Sequence, residues 1–400
     1  MKDNGPILIV GAGIGGLTLA RGLLRKGFNV RVIERVPEFR PLGAGLMVQI
    51  NGMLALRYLD LDRGVRDHGV VLERGSVQRH DGTVISEMPF SQVAREYGVP
   101  TVAIHRRRLH QVLLDAVGAE YVRLGANGRT FAQDSTSVTL EIEGGEPENG
   151  AASVGADGLR SAVRRQLLGN NDLRYSGYTS WRGICPRKSV PIGNEVTEVW
   201  GRGCRFGFVP VGPEEIYWFA VDNVPPGQTD KPDELKPRLH DLFSHFRGPV
   251  MPILEATPVE DILRTDVYDR KPAREWGRGR VTLLGDAAHP MTPDMGQGAC
   301  QAIEDAVVLA DRLFKASSIE SGFREYEQVR VDRTSRIVKH SRLFGRVAQW
   351  KNPLACWLRD ALVRSTPDRV SLRETRKLWA FDVNVNSEKS RDALRFGQGQ

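Results

Sequence analysis

Three glycine-bearing stretches have residue types and spacings that could do chemistry. Residues 11–16 read Gly-Ala-Gly-Ile-Gly-Gly and match G-x-G-x-x-G. In such a loop Gly11 permits the tight turn, Gly13 lets backbone amides approach a pyrophosphate, and Gly16 lets a helix pack closely on a strand. Glu34 lies 23 residues after Gly11. Near that offset an acid hydrogen-bonds a ribose hydroxyl and would repel a 2′-phosphate. The chemistry is that of a bound dinucleotide other than NADP, and this loop alone does not separate FAD from NAD. The second stretch is Gly285-Asp286, whose carboxylate can accept a hydrogen bond from a sugar-alcohol hydroxyl. The third, Gly296-Gln297-Gly298, opens a helix. Free amides and a positive dipole end at that point suit the negative charge that a reduced flavin ring carries near N1 and its C2 carbonyl.

These residues need elements to hold them. Ile7–Val10 is a short apolar run of the kind buried on both faces of a parallel sheet. Leu17, Leu19, Ala20, Leu23 and Leu24 continue at helical spacing, Gly27 stands where a C-cap glycine belongs, and Val30, Val32 and Ile33 form a second strand. Residues 281–284 (VTLL) predict a buried strand ending at Gly285-Asp286. Ala302, Ala306, Leu309 and Leu313 carry the helix that follows. Between residues 175 and 270, segments such as Glu198-Val199-Trp200, Phe206-Gly207-Phe208-Val209 and Ile216-Tyr217-Trp218-Phe219 alternate or run aromatic between Gly and Pro, which predicts strands of a sheet.

In this order and at these separations, the motifs resemble those of the class A flavoprotein monooxygenases, the salicylate hydroxylase and para-hydroxybenzoate hydroxylase group. The resemblance spans residues 6–345. It rests on the glycine loop, on GADGLRSAVRR (155–165), and on GDAAHPMTPDMGQGA (285–299). It implies that Asp286 binds the ribityl chain of FAD, that Pro290 lies beside the ring, and that Gly296, Gln297, Gly298 and Ala299 cradle the pyrimidine end. It links Asp157 to FAD and nicotinamide binding, matches Arg106 to an FAD-contacting arginine at a helix start, and adds Gly45 and Met47 to the cofactor site. YTSWRGI (178–184) is also typical of the family. Residues 143–153 (EGGEPENGAAS) are more irregular than the family's usual hairpin. GRGCRFGFVPV (201–211) and Ile216-Tyr217 resemble the substrate sheet of FAD-dependent urate hydroxylases, which implies that Arg205 and Tyr217 face substrate and flavin. Without the family, Arg205 reads as an outward sheet arginine and Tyr217 as a core tyrosine. His289 invites an acid–base reading, whereas the resemblance makes it structural or flavin-adjacent.

The implied fold is α/β (α+β): a Rossmann-like FAD-binding domain of the para-hydroxybenzoate hydroxylase type, with an inserted β-sheet substrate domain and C-terminal helices. The expected division assigns residues 1–75, 100–175 and 270–340 to the FAD domain, 76–99 and 176–269 to the substrate sheet, and 341–400 to a helical segment. The implied activity is that of an NAD(P)H:O2 monooxygenase. The nicotinamide binds transiently, and reduced FAD activates O2 as a C4a-hydroperoxide. A small aromatic, heteroaromatic or isoprenoid-type substrate is then hydroxylated or epoxidised. A flavin-dependent reductase or desaturase on the same fold and a non-catalytic flavin module are the alternatives. The first would consume no O2 in forming product, and the second would show no substrate-stimulated NAD(P)H oxidation.

Composition agrees with such an enzyme. Apolar content of 40% and charged content of 26% are those of an ordinary globular protein, and 400 residues suit two domains. No run of eighteen apolar residues predicts a transmembrane helix, and the N-terminal apolar stretch is too short for a signal peptide. Four well-separated cysteines show no metal-ligand spacing, and reduced thiols in the cytoplasm are expected. No nucleic-acid module accompanies the net charge of +7. Residues 341–380 hold nine Lys or Arg against three Asp or Glu. Trp350, Leu354, Trp357, Leu358, Ala361 and Leu362 fall there at helical spacing. Packing across the FAD domain is the expected role. A basic amphipathic surface for a membrane or for a second copy is the alternative, so that the chain is a monomer or a homodimer.

Overall fold

Ile7–Val10 is the central strand of a five-stranded parallel sheet. Its order is Val281–Leu283, Ala152–Gly155, Ile7–Val10, Val30–Ile33, Val122–Arg123. The computed structural model describes residues 5–39, 44–169 and 172–382. The sheet has helical layers because its strands are apolar on both faces. The glycine-loop helix (Ile14–Arg25) packs against the cofactor-side helix (Gly298–Lys315), which in turn packs on a long helix, Ile319–Ala348. Three antiparallel strands (Gly128–Gln133, Val138–Ile142, Glu148–Gly150) share the same core. The irregular stretch 143–153 therefore forms a hairpin after all, with Val138 opposite Gly150.

The predicted middle strands assemble into a seven-stranded sheet. Its order is Leu263–Asp269, Arg174–Pro186, Glu215–Asp222, Cys204–Pro210, Glu195–Trp200, Arg74–Arg79, Val84–Met88. It draws on two separate parts of the chain, joined by the parallel pairing of Glu195–Trp200 with Arg74–Arg79. The strands begin at Arg74 and Arg174, each two residues ahead of the expected boundary. Alternation gives the sheet two faces. One carries Trp181, Phe206, Phe208 and Trp218 into a second core closed by the helices Pro232–Phe243 and Val250–Ala256. There Phe206 stacks on Trp218 with ring centroids 5.4 Å apart. The opposite face turns toward the cofactor-side helix and is described below.

The end of the chain departs from the expected division. The long helix runs unbroken through residue 341 to Ala348. Two more helices follow, Pro353–Ser365 and Asp368–Trp379, while residues 383–400 lie outside the described residues. The expectation of packing across the FAD domain holds for the last helix, where buried Trp379 donates from Nε1 to Gln49 Oε1 at 2.8 Å. It fails for Pro353–Ser365, whose Leu354, Trp357, Leu358 and Leu362 are exposed. The inward face of that helix carries Cys356, Arg359 and Val363. The Arg359 guanidinium lies 4.7 Å over the Trp200 ring and donates to Ala348 O at 2.8 Å.

Candidate active site

The glycine loop owes its shape to steric limits. Gly11 has φ +110°, and a Cβ there would lie 2.5 Å from Ala156 O. A Cβ on Gly16 would lie 2.0 Å from Gly11 O, so no other residue lets the helix start this close to its strand. At Gly13 the situation is opposite, since nothing stands within 4 Å of an added Cβ. The helix it opens has no side-chain cap and no acid in its first turn, which leaves amides and a positive dipole end facing open space. Glu34 braces this loop: Ala12 N donates to Oε2 at 2.8 Å and Val36 N to Oε1 at 3.1 Å. His110 Nε2 donates to Ala12 O at 2.8 Å.

That open space is part of a cavity of about 510 Å³ between the nucleotide-binding layers and the seven-stranded sheet. Gly13, Gly45, Met47, Arg106, Asp286, Gly296, Gly298 and Ala299 lie on its wall. Gly11, Gly16, Glu34, Asp157, Pro290 and Gln297 are not among the residues that line it. Asp286 is exposed to the cavity, and among the described residues no protein donor reaches its carboxylate. Its depth in the molecule raises its pKa, against the pull of His289 and Arg106. A second uncapped helix start, at Gln297–Gly298, faces the same cavity. Two helix N-termini, an unpartnered carboxylate and a cradle free of side chains fit a long ligand with an anionic pyrophosphate, sugar-alcohol hydroxyls and an electron-rich ring.

The residues behind the wall hold it in place. Asp157 Oδ2 accepts from Ala162 N at 2.7 Å and from Val163 N at 3.3 Å, so it anchors the start of helix Ala162–Leu168. Arg164 on that helix is buried and donates from Nη1 to Ala287 O and Ala288 O, at 2.9 and 2.7 Å, locking the loop after Asp286. Gln297 Nε2 donates to Gln49 Oε1 at 2.7 Å, and Gln49 Nε2 donates to Met295 O at 2.9 Å. His289 is buried, with Nε2 2.6 Å from Asp305 Oδ2, and it is not on the cavity wall. Burial pushes the Cys300 thiol up to about 12, which suits a packing residue.

The sheet supplies the opposite wall by strand alternation. Tyr178, Ser180 and Arg182 come from one strand, Tyr217, Phe219 and Val221 from the next, then Arg205 and Val209, then Val196 and Glu198. Gly207 leaves room for Phe219, since a Cβ there would lie 2.2 Å from that ring. Arg205 is neither outward nor idle. It is buried, and it donates from Nε to Gln349 Oε1 at 2.7 Å, from Nη1 to Glu198 Oε1 at 2.9 Å and from Nη2 to Asp294 Oδ1 at 2.7 Å. Burial alone would lower its pKa, but Glu198 and Asp294 overcome this and raise it. Tyr178 OH donates to the other Asp294 oxygen. Tyr217 packs against Gly45, and burial raises its pKa while Arg182 and Arg106 pull it down. Sequence reasoning missed Tyr178, Glu198, Asp294, Gln349 and Arg164. Strand alternation through YTSWRGI would have found Tyr178, because Trp181 points the other way. The remaining partners meet only in three dimensions.

Residues 4–341 match the FAD binding domain family. Over 379 residues the chain is 44% identical to aurachin C monooxygenase/isomerase of Stigmatella aurantiaca, covering 94% of this chain and 99% of that one. It is 35% identical over 379 residues to 2-heptyl-3-hydroxy-4(1H)-quinolone synthase of Pseudomonas aeruginosa, covering 93% and 97% of the two chains. The solved structure of Klebsiella pneumoniae HpxO complexed with FAD and uric acid has a TM-score of 0.89 at 28% identity, covering 95% of this chain and 97% of that one. The glycine cradle, the two open helix ends and Asp286 fit FAD, the cofactor of the matching family and of the HpxO structure. The chain binds FAD and belongs to the class A FAD-dependent monooxygenases.

Proposed function

We propose that the chain oxygenates a flat, largely apolar heteroaromatic compound with a ring hydroxyl or carbonyl, a 4-quinolone bearing a lipophilic chain being the first candidate. The observation that carries this is the cavity face of the sheet. Val196, Val209, Phe219, Val221 and Val267 give it an apolar surface, broken by Tyr217 and by the Arg205 cluster. The names of the two relatives, one an aurachin enzyme and one a quinolone synthase, support the same class.

FAD, reduced by NAD(P)H, supplies transfer of one oxygen atom from O2 when it is bound. The protein's part is binding, orientation and exclusion of water. In this reading the amides at Gly13 take the pyrophosphate, Asp286 takes a ribityl hydroxyl, and the helix start at Gly298–Ala299 steadies negative charge on the ring. Gly11 and Gly16 shape the loop, and Glu34 serves the adenosine ribose from behind it. Gly45, Met47, Arg106 and Gly296 complete the wall, while Asp157, Pro290 and Gln297 support it. A guanidinium has five N–H donors. Arg205 spends three on its partners, which leaves two, held in a fixed plane, to bind a substrate oxygen. Tyr217 polarises the substrate hydroxyl from the next strand. Among the described residues no helix is long and apolar enough to cross a membrane. A cytoplasmic enzyme, with the FAD and substrate regions divided near residues 75, 100, 175 and 270, completes the proposal.

Substrate class is tested by the rate at which NAD(P)H reduces the bound flavin. A 2-alkyl-4-quinolone is expected to accelerate it at least about tenfold, as effectors that bind the reactive state do through about 1.4 kcal/mol. Acceleration by a simple phenolic acid or a purine, with none by the quinolone, would remove the quinolone reading.

A further inference from the structure

The helix Pro353–Ser365 is amphipathic in the reverse sense. Its inner face holds Arg359, Cys356 and Val363, and its outer face holds Leu354, Trp357, Leu358 and Leu362 at 72, 63, 47 and 57% exposure. Their spacing of three, four and eight residues puts them on one stripe. The arrangement is fixed, because Arg359 is stacked on Trp200 and hydrogen-bonded to Ala348 O and Asp360. A roll that buried the leucines would pull Arg359 off the Trp200 ring and strip Ala348 O of its donor, so these contacts hold the apolar stripe outward. Trp350, exposed and placed just before the helix, extends the apolar surface. A contiguous apolar patch of this kind marks an interaction site.

The charge around the stripe selects the partner. Arg346, Lys351 and Arg364 are exposed and flank it in the chain, and Asp360, the only acid between residues 342 and 367, is paired with Arg359 at 2.8 Å. An apolar stripe with tryptophan, rimmed by cations, suits a bilayer interface with anionic headgroups. We propose that this helix docks the enzyme on the surface of an anionic phospholipid membrane. The docked face lies next to the active site in the chain. Gln349, which holds the Arg205 Nε, is followed directly by Trp350. A lipophilic substrate dissolved in the same bilayer would therefore be concentrated beside the sheet that receives it.

The test is flotation of the holoenzyme with vesicles of phosphatidylcholine alone and with about one-third phosphatidylserine. The parent is expected to partition at least about tenfold more onto the anionic vesicles and to be released by salt. Trp357→Ser with Leu358→Ser is expected to lower that partition at least about tenfold through lost apolar burial. FAD content and vesicle-free NAD(P)H oxidation are expected to be unchanged in the variant, which shows that the fold survives. Lys351→Glu with Arg364→Glu is expected to abolish the preference for phosphatidylserine. No partition by the parent, or equal partition by the apolar variant, would overturn the proposal. A parent dimer that the apolar variant converts to monomer, with no vesicle binding, would overturn it in favour of a second copy.

Discussion

At the residue scale, the site divides into groups aimed at the cavity and groups that aim them. Asp286 is of the first kind, and a charged hydrogen bond of the sort it offers is worth roughly 1.5–3 kcal/mol. Asp286→Ala is expected to weaken FAD binding about tenfold to a hundredfold while the apoprotein keeps its melting temperature, as titration with FAD would show. An unchanged dissociation constant would remove Asp286 from the site. Tyr217→Phe keeps the ring against Gly45 and deletes the hydroxyl. It is expected to lower oxygenation by about 10²-fold, the low end for proton-transfer assistance, with more H2O2 formed per NAD(P)H. Wild-type coupling in that variant would make Tyr217 a packing residue. That Asp286 and Arg205 would lie on the cavity wall was legible in the sequence, one through its motif and the other through its resemblance. The partners of Arg205 were not, since Asp294 and Gln349 lie 89 and 144 residues from it in the chain.

At the element scale, the cofactor-side helix is held to the long helix by a buried ionic network. Arg330 donates to Asp305 Oδ1 at 2.6 Å and to Glu304, and Arg333 reaches Glu304 at 2.8 Å. The cluster also ties Asn51, which donates to Glu304 at 2.6 Å and to Gln297 at 2.9 Å, at the helix start that faces the cavity. Burial would raise the pKa of Asp305, but His289 and Arg330 bring it down to about 2, and Glu304 is lowered in the same way. A carboxylate depressed in the folded state adds stability above its unfolded pKa near 4, and loses it as pH falls through the folded value. The stability these two carboxylates supply is expected to persist from neutral pH down to about 5 and to be lost between about 4 and 2, which thermal melts would show as a steep drop over that lower range. Arg330→Ala is expected to cost about 3–5 kcal/mol by taking a buried cationic partner from both carboxylates, and a melting temperature near that of the parent would refute the network's role. Helical spacing showed the cofactor-side helix, through Ala302, Ala306, Leu309 and Leu313, but not the long helix. It did not show that the long helix continues past residue 340, because polar residues on its buried face disguise the packing.

At the scale of the whole molecule, two layers built by different periodicities meet over one cavity. The parallel sheet with its helices brings the glycine loop and the Asp286 loop together, and the seven-stranded sheet covers them with one face. The nucleotide half was legible because its glycines answer to steric limits that few other sequences satisfy. The covering sheet was legible as strands, while its order depends on pairing between segments over a hundred residues apart. The outward helix near the C-terminus was misread because helical spacing tells which residues share a face, not where that face points. The central claim is that these layers make an oxygenase and not a reductase. Turnover of a 4-quinolone substrate with NAD(P)H under isotopically labelled O2, followed by mass spectrometry of the product, tests it directly. One labelled oxygen atom per product molecule is the predicted result, and a product without label, with the label found only in water or H2O2, would contradict it.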